Sequence, residues 1–185
     1  MSFESETEES PFTPEQEAEF RQIALDRAPN ELAKLQPEMT DEEAFVHLPR
    51  AAAAAFHLGR SDLAAQLAER TLLLAPHFES NWNYGNAIHR GHTVLGLLAL
   101  DRGDVACAKA ELVLSGETPG SPQLNSFGPT MHLARELLKH GHTEVVLGYF
   151  QQCRRFWSLG TTWLDLWEQV ALSGRVPNCF QHAWV

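Results

Sequence analysis

At 185 residues the chain has the length of one domain with room for a tail, and such a domain buries about 70 % of its unfolded surface. Hydrophobic residues at 44 % and charged residues at 21 % match a globular protein, and no run of 18 apolar residues is present to span a membrane. The net charge of −10 is concentrated. Seven glutamates fall in residues 1–20 without a Lys or Arg, leaving seventeen carboxylates against all fourteen cations in the rest, a balance of −3. A body without a basic excess argues against nucleic acid as a partner, because phosphate neutralisation needs one.

The opening MSFESETEES has neither the basic nor the apolar segment of a signal peptide. Cys107, Cys153 and Cys179 are odd in number and far apart, so they read as thiols of a reducing compartment, and the expectation is a cytoplasmic protein. Cys107 and Cys153 fall in apolar helical patterns, where a thiol acts as a small hydrophobe.

In chain order, residues 1–12 are acidic and Ser-rich, too poor in apolar area to offset chain entropy, and are expected to be a disordered tail. Residues 13–40 form an N-terminal helix and linker. Thr13, Pro14 and Gln16 make a capping box with Pro at the first helical position, and the helix is expected to end before Pro29. Residues 41–185 form the main helical domain. Thr40 and Glu43 open its first helix, which Pro49 kinks or divides, and RAAAAAFHL offers small side chains that permit close approach. Gly59, Gly103 and Gly141 each close one helical pattern before another opens, with Ser61 and Thr143 as expected caps. A long helix is expected from Ser80 to Asp101, and SGETPGSPQLNSFGP reads as a loop, after which Pro129 restarts a helix. TTWLDLWEQVALSG places Trp163, Leu164, Trp167, Val170 and Ala171 on one face, as a C-terminal capping helix would, and the apolar end of RVPNCFQHAWV is expected to dock on the body.

Aligning the three glycines exposes a register. Seven residues before them stand Ala52, Gly96 and Ala134; five after, Ala64, Ala108 and Val146; twelve after, Thr71, Ser115 and Cys153. Small residues in these places let two antiparallel helices pack closely across each turn. The pattern resembles the tetratricopeptide repeat, best over residues 45–76, where Ala52, Gly59, Ala64 and Pro76 occupy that family's small, turn, small and terminal-proline positions. Leu48 stands at its Trp position, Ala55 at its Tyr or Phe position, and Ala68 where a large residue is usual. The turns are 44 and 38 residues apart rather than about 34. The fold expected is therefore all-α: antiparallel helix-hairpin repeats, a tetratricopeptide-like α-solenoid, with a C-terminal capping helix.

The resemblance implies that the first helix of each hairpin lines a concave face. Projected onto it are Val46, Arg50, Ala53 and His57; then Arg90, Thr93, Val94, Leu97 and Asp101; then Met131, His132, Arg135 and Lys139. Arg50, Arg90, Arg135 and Lys139 share that face, and an arginine fork suits carboxylates. The expected function is a non-enzymatic interaction module that binds an acidic peptide or protein segment in this groove. Asn86, His57 and His132 would make polar contacts, and Leu97 and Met131 apolar ones. The glutamates of residues 4–19 are expected to compete for the same groove.

Nothing matches a phosphate-binding glycine loop, a nucleophile elbow or a zinc finger, so no catalytic residue and no cofactor is assigned. His89 and His92, three apart, are the only metal candidates, with His132 or a nearby Asn as a third ligand. The alternative function is a small-molecule or metal-binding enzyme or sensor, with its site between the Asn81–His92 segment and the 116–129 loop. A homo-oligomer built on a Trp157, Trp163 and Trp167 surface is a third reading.

Overall fold

The computed structural model describes residues 12–185, apart from the side chain of Phe180. The expected disorder of residues 1–12 therefore lies outside the described residues except at Phe12. That ring packs 5.1 Å from Phe20 and belongs to the ordered body.

The described chain is all helical, with no strand: α1 (Pro14–Ala33), α2 (Asp41–His57), α3 (Ser61–Leu74), α4 (Tyr84–Asp101), α5 (Val105–Gly116), α6 (Pro122–Phe127), α7 (His132–Lys139), α8 (Thr143–Arg154) and α9 (Thr161–Leu172). The capping boxes on Thr13 and Thr40 form as the sequence predicts. Neither proline ends its helix. α1 runs through Pro29 to Ala33, because Ala28 is buried and Leu32 packs against the α2–α3 cluster, and this packing outweighs one lost backbone bond. α2 likewise runs unbroken through Pro49, which is itself buried between Leu48 and Ala51. Ser61 and Thr143 are first helical residues rather than caps; Arg60 and His142 hold the cap positions without a side-chain bond.

α2 packs on α3, α4 on α5, and α7 on α8. Gly59, Gly103 and Gly141 lie between them at φ of 70, 77 and 80°. The closing bonds repeat at all three: the amide after the glycine reaches Ala55, Ala99 or Leu137, and the glycine amide reaches Phe56, Leu100 or Leu138. Ala52, Ala64, Ala108, Ala134 and Val146 are buried at the pair interfaces. Gly96 is the tightest of these places: a Cβ there would sit 2.2 Å from Leu133 of α7 and 3.0 Å from Glu111 of α5.

α3 and α2 both touch α4, α5 touches α7 and α8, and α9 packs on α8. On α9, Leu164, Trp167, Val170 and Ala171 are buried, whereas Trp163 is 49 % exposed. Trp157 and Trp167 are core residues 5.9 Å apart, so the expected tryptophan surface is reduced to Trp163.

Candidate functional site

The projected groove is covered by the chain itself. α1 packs along α2 and carries Glu17 to α7, while the 176–185 segment crosses the neighbouring end of α2 and α7. Arg135 is the clamp between the two covers. Its Nη2 donates to Glu17 at 2.8 Å, its Nε donates to the Pro177 carbonyl at 3.0 Å, and its guanidinium lies 5.2 Å from the Phe12 ring centre. Lys139 joins from 3.4 Å and also pairs with Glu136. Burial pushes the Glu17 carboxyl up. The Arg135 hydrogen bond and the Lys139 and Arg135 charges outweigh it and hold the carboxyl below its ordinary value. Arg135 was expected on an open face, yet it is 2 % exposed, because α1 and the tail close over it.

The C-terminal segment is latched by backbone and rings. The His182 carbonyl accepts from the Met131 amide, and its Nδ1 donates to the Pro129 carbonyl at 2.9 Å. Its imidazole sits 4.8 Å from Trp157. His57 Nε2 bonds the Val185 backbone oxygen at 2.9 Å, His57 and His132 stack 6.0 Å apart, and Trp184 lies 4.7 Å from His132. Burial lowers the pKa of both His57 and His132, so both rings are neutral near pH 7. His132 is thus an element of the latch. Leu97 and Met131, expected as apolar contacts for a partner, are fully enclosed in the core, as are Thr93 and Val94.

Arg50 and Arg90 fall in a different setting. They border a cavity of about 600 Å³ between α1, α2, α4 and the C-terminal segment, together with His57, Arg27 and Glu31. Glu31 and Arg50 are the charges that act on Arg90. On α1, Glu17, Phe20, Ala24, Ala28 and Glu31 share one face at helical spacing, so carboxylates bracket an apolar stripe that faces the four predicted cations.

The Asn81–His92 segment and the 116–129 loop are tied to each other by side-chain hydrogen bonds. Asn86 donates to Asn83 at 3.0 Å and Gln123 at 3.1 Å, and accepts from Ser121 at 2.7 Å. Asn83 donates to the Phe45 carbonyl, and Thr118 to the Gly85 carbonyl. A Cβ on Gly85 would lie 1.8 Å from the Gly120 carbonyl oxygen. Asn86 is therefore a structural joint. The expected long helix begins at Tyr84, because Asn81 turns back onto the Asn83 amide, and the loop contains α6.

His89 and His92 diverge. His89 accepts the Thr130 amide on Nε2 at 3.0 Å and donates from Nδ1 to the Ser115 carbonyl at 3.3 Å; burial, then the charge of Arg90, lowers its pKa to about 3. His92 pairs with Glu111 at 2.8 Å. Both ring nitrogens of His89 are occupied, and no group of three His, Cys, Asp or Glu side chains suited to a metal occurs among the described residues. Burial pushes the Cys153 thiol up to about 12, which leaves it unreactive.

Sequence reasoning missed Glu31 and Pro177, whereas Glu17 lies among the glutamates of residues 4–19 expected at the groove and Trp184 in the C-terminal segment expected to dock. The carboxylate-bracketed stripe of α1 was a readable signal for Glu31. No signal marked Pro177, which contributes only its carbonyl.

No family model, no curated protein and no solved structure matches the chain.

Proposed function

We propose that the chain is a tetratricopeptide-like adaptor whose cationic face, formed by α2, α4 and α7, takes an acidic amphipathic helix. The observation that carries this reading is the ion pairing of Glu17 with Arg135 and Lys139: an acidic helix already lies on that face, supplied by the chain itself. α1 is the resident occupant, and a partner helix exchanges with it. Support for the repeat reading comes from the three glycine-closed helix pairs, with small buried residues at matching offsets. The face uses Lys139, Arg50 and Arg90 to attract carboxylates. Arg135 serves both the partner and the latch, so replacing it would disturb the fold as well as binding.

The test is a labelled peptide of residues 13–34 added to the full chain and followed by fluorescence anisotropy. Glu17→Gln in the chain weakens the resident helix and raises peptide affinity several-fold. Lys139→Gln lowers it, and both effects shrink as salt rises. Absence of binding in every variant overturns the reading.

A further inference from the structure

We infer that the cavity between α1, α2, α4 and the 176–185 segment is a binding site for a small anionic amphiphile, a single carboxylate on an apolar body, with Arg90 and Arg50 holding the head. This rests on the cavity alone and not on the docking of a partner helix. Its volume of about 600 Å³ lies within the range of about 300–1,000 Å³ common for small-molecule sites.

The polar end is electrostatically incomplete. Arg27, Arg50 and Arg90 border it against one side-chain carboxylate, Glu31, which is itself 2.7 Å from Lys34 Nζ, while the Val185 main-chain oxygen at the far end is bonded to His57. Among the described residues none of these three arginines has a hydrogen bond or an ion pair, whereas Arg70, Arg135 and Arg154 each meet a carboxylate. Arg90 is half-buried; burial first, then the nearby charge of Arg50, lowers its pKa to about 10, so it stays protonated at neutral pH. Two like charges beside a partly enclosed space are relieved by an anion, and a guanidinium fork offers a carboxylate two parallel bonds. Glu31 nearby favours a head with one negative charge over a phosphate dianion.

The other end mixes apolar walls with the His57 ring and Gln181. Ala53 and Ala54 of α2 form its floor, and their small side chains are what leave the space open. Phe20 and Trp184 wall it. The Trp184 Nε1–H is buried without a partner among the described residues, which makes its indole a reporter at the cavity wall.

The experiment titrates the full chain with decanoate, decanol, acetate and decyl phosphate, followed by calorimetry and by the Trp184 indole resonance, assigned with Trp184→Phe. Decanoate binds one per chain and shifts that resonance. Decanol and acetate bind at least tenfold more weakly, decyl phosphate binds no tighter, and Arg90→Gln weakens decanoate at least tenfold. Arg50→Gln, at an exposed position that tolerates replacement, gives the same loss and serves if Arg90→Gln does not fold. No saturable binding, equal affinity for decanol or acetate, tighter binding of decyl phosphate, or unchanged affinity in the arginine variant that folds overturns the inference.

Discussion

Asn86 and Arg90 stand one helical turn apart on α4, and they differ in what completes them. Asn86 has three side-chain partners within the chain, Asn83 at the cap position before α4 and Ser121 and Gln123 of the 117–128 segment. Arg90 has no hydrogen-bond or ion-pair partner among the described residues and opens onto a cavity. Both are expected from the sequence to contact a partner, Arg90 through its projection onto the concave face and Asn86 as a polar contact. The difference teaches that polarity in such a place marks either a joint or a site. The number of bonds completed internally decides between them, since a buried polar group left unpaired costs about 1–3 kcal/mol.

The joint is the place to expect the largest effect. Gly85→Ala drives a methyl group into the Gly120 carbonyl, a backbone atom that yields only if the 117–128 segment moves. We expect a loss of about 3 kcal/mol in urea unfolding. A loss below about 1 kcal/mol would show that the joint is looser than its contacts imply.

Asn86→Leu comes next. It leaves the Ser121 hydroxyl, the Gln123 side chain and the Asn83 oxygen without their partner, at a cost of about 2 kcal/mol. Arg90→Gln, one turn away, removes no internal hydrogen bond and is expected to change stability by less than about 1 kcal/mol. If the two substitutions cost the same, the distinction between joint and site fails.

The joint is also the acid-sensitive region. His89 holds the Thr130 amide and the Ser115 carbonyl only in its neutral form, and its folded pKa of about 3 lies below its ordinary 6.5. The unfolded chain therefore binds the proton first. The stability from His89 is complete above pH 6.5 and is lost as pH falls toward 3. Between pH 7.5 and 5.5 the loss is on the order of 1 kcal/mol from this residue, and His132 adds to it in the same direction. His89→Gln should flatten that part of the pH profile; an unchanged slope would assign it elsewhere.

The all-helical class and the turns at Gly59, Gly103 and Gly141 were legible because each depends on local chemistry: helical spacing of apolar residues and a left-handed closing residue. The small residues at Ala52, Gly96 and Ala134 were legible for the same reason. Pro29 and Pro49 misled because their cost is local, whereas the gain from burying Ala28, Leu48 and Ala51–Ala55 is tertiary. The candidate site was half legible. Its cations could be projected from the register, but α1 and the 176–185 segment approach from far along the chain and cover Arg135 and Met131. Glu17 and Arg135 are 118 residues apart; the charge asymmetry points to a glutamate of residues 4–19 at the groove, but nothing local to either residue selects this pair.

The smallest effect concerns how firmly α1 lies on the cationic face, the side of the comparison where partners are exchangeable. Glu17 is paired with Arg135 and Lys139 at a partly exposed position, so Glu17→Gln should cost under about 1 kcal/mol of global stability. The local effect is larger than the global one, because α1 can lift while the glycine-closed pairs stay folded. Its carboxyl titrates below the ordinary value of 4.5 in the docked state, so the undocked helix binds the proton first. Docking is therefore complete above about pH 4.5 and weakens as pH falls through the lowered folded value. Amide exchange across residues 14–24, compared with exchange in α4 and α5, reads this directly. Protection of α1 should fall in Glu17→Gln at pH 7, and in the native chain only below pH 4.5, a window separate from that of His89. Equal protection of α1 in both chains at pH 7 would mean that the apolar stripe alone holds it, and that the face does not select its occupant by charge.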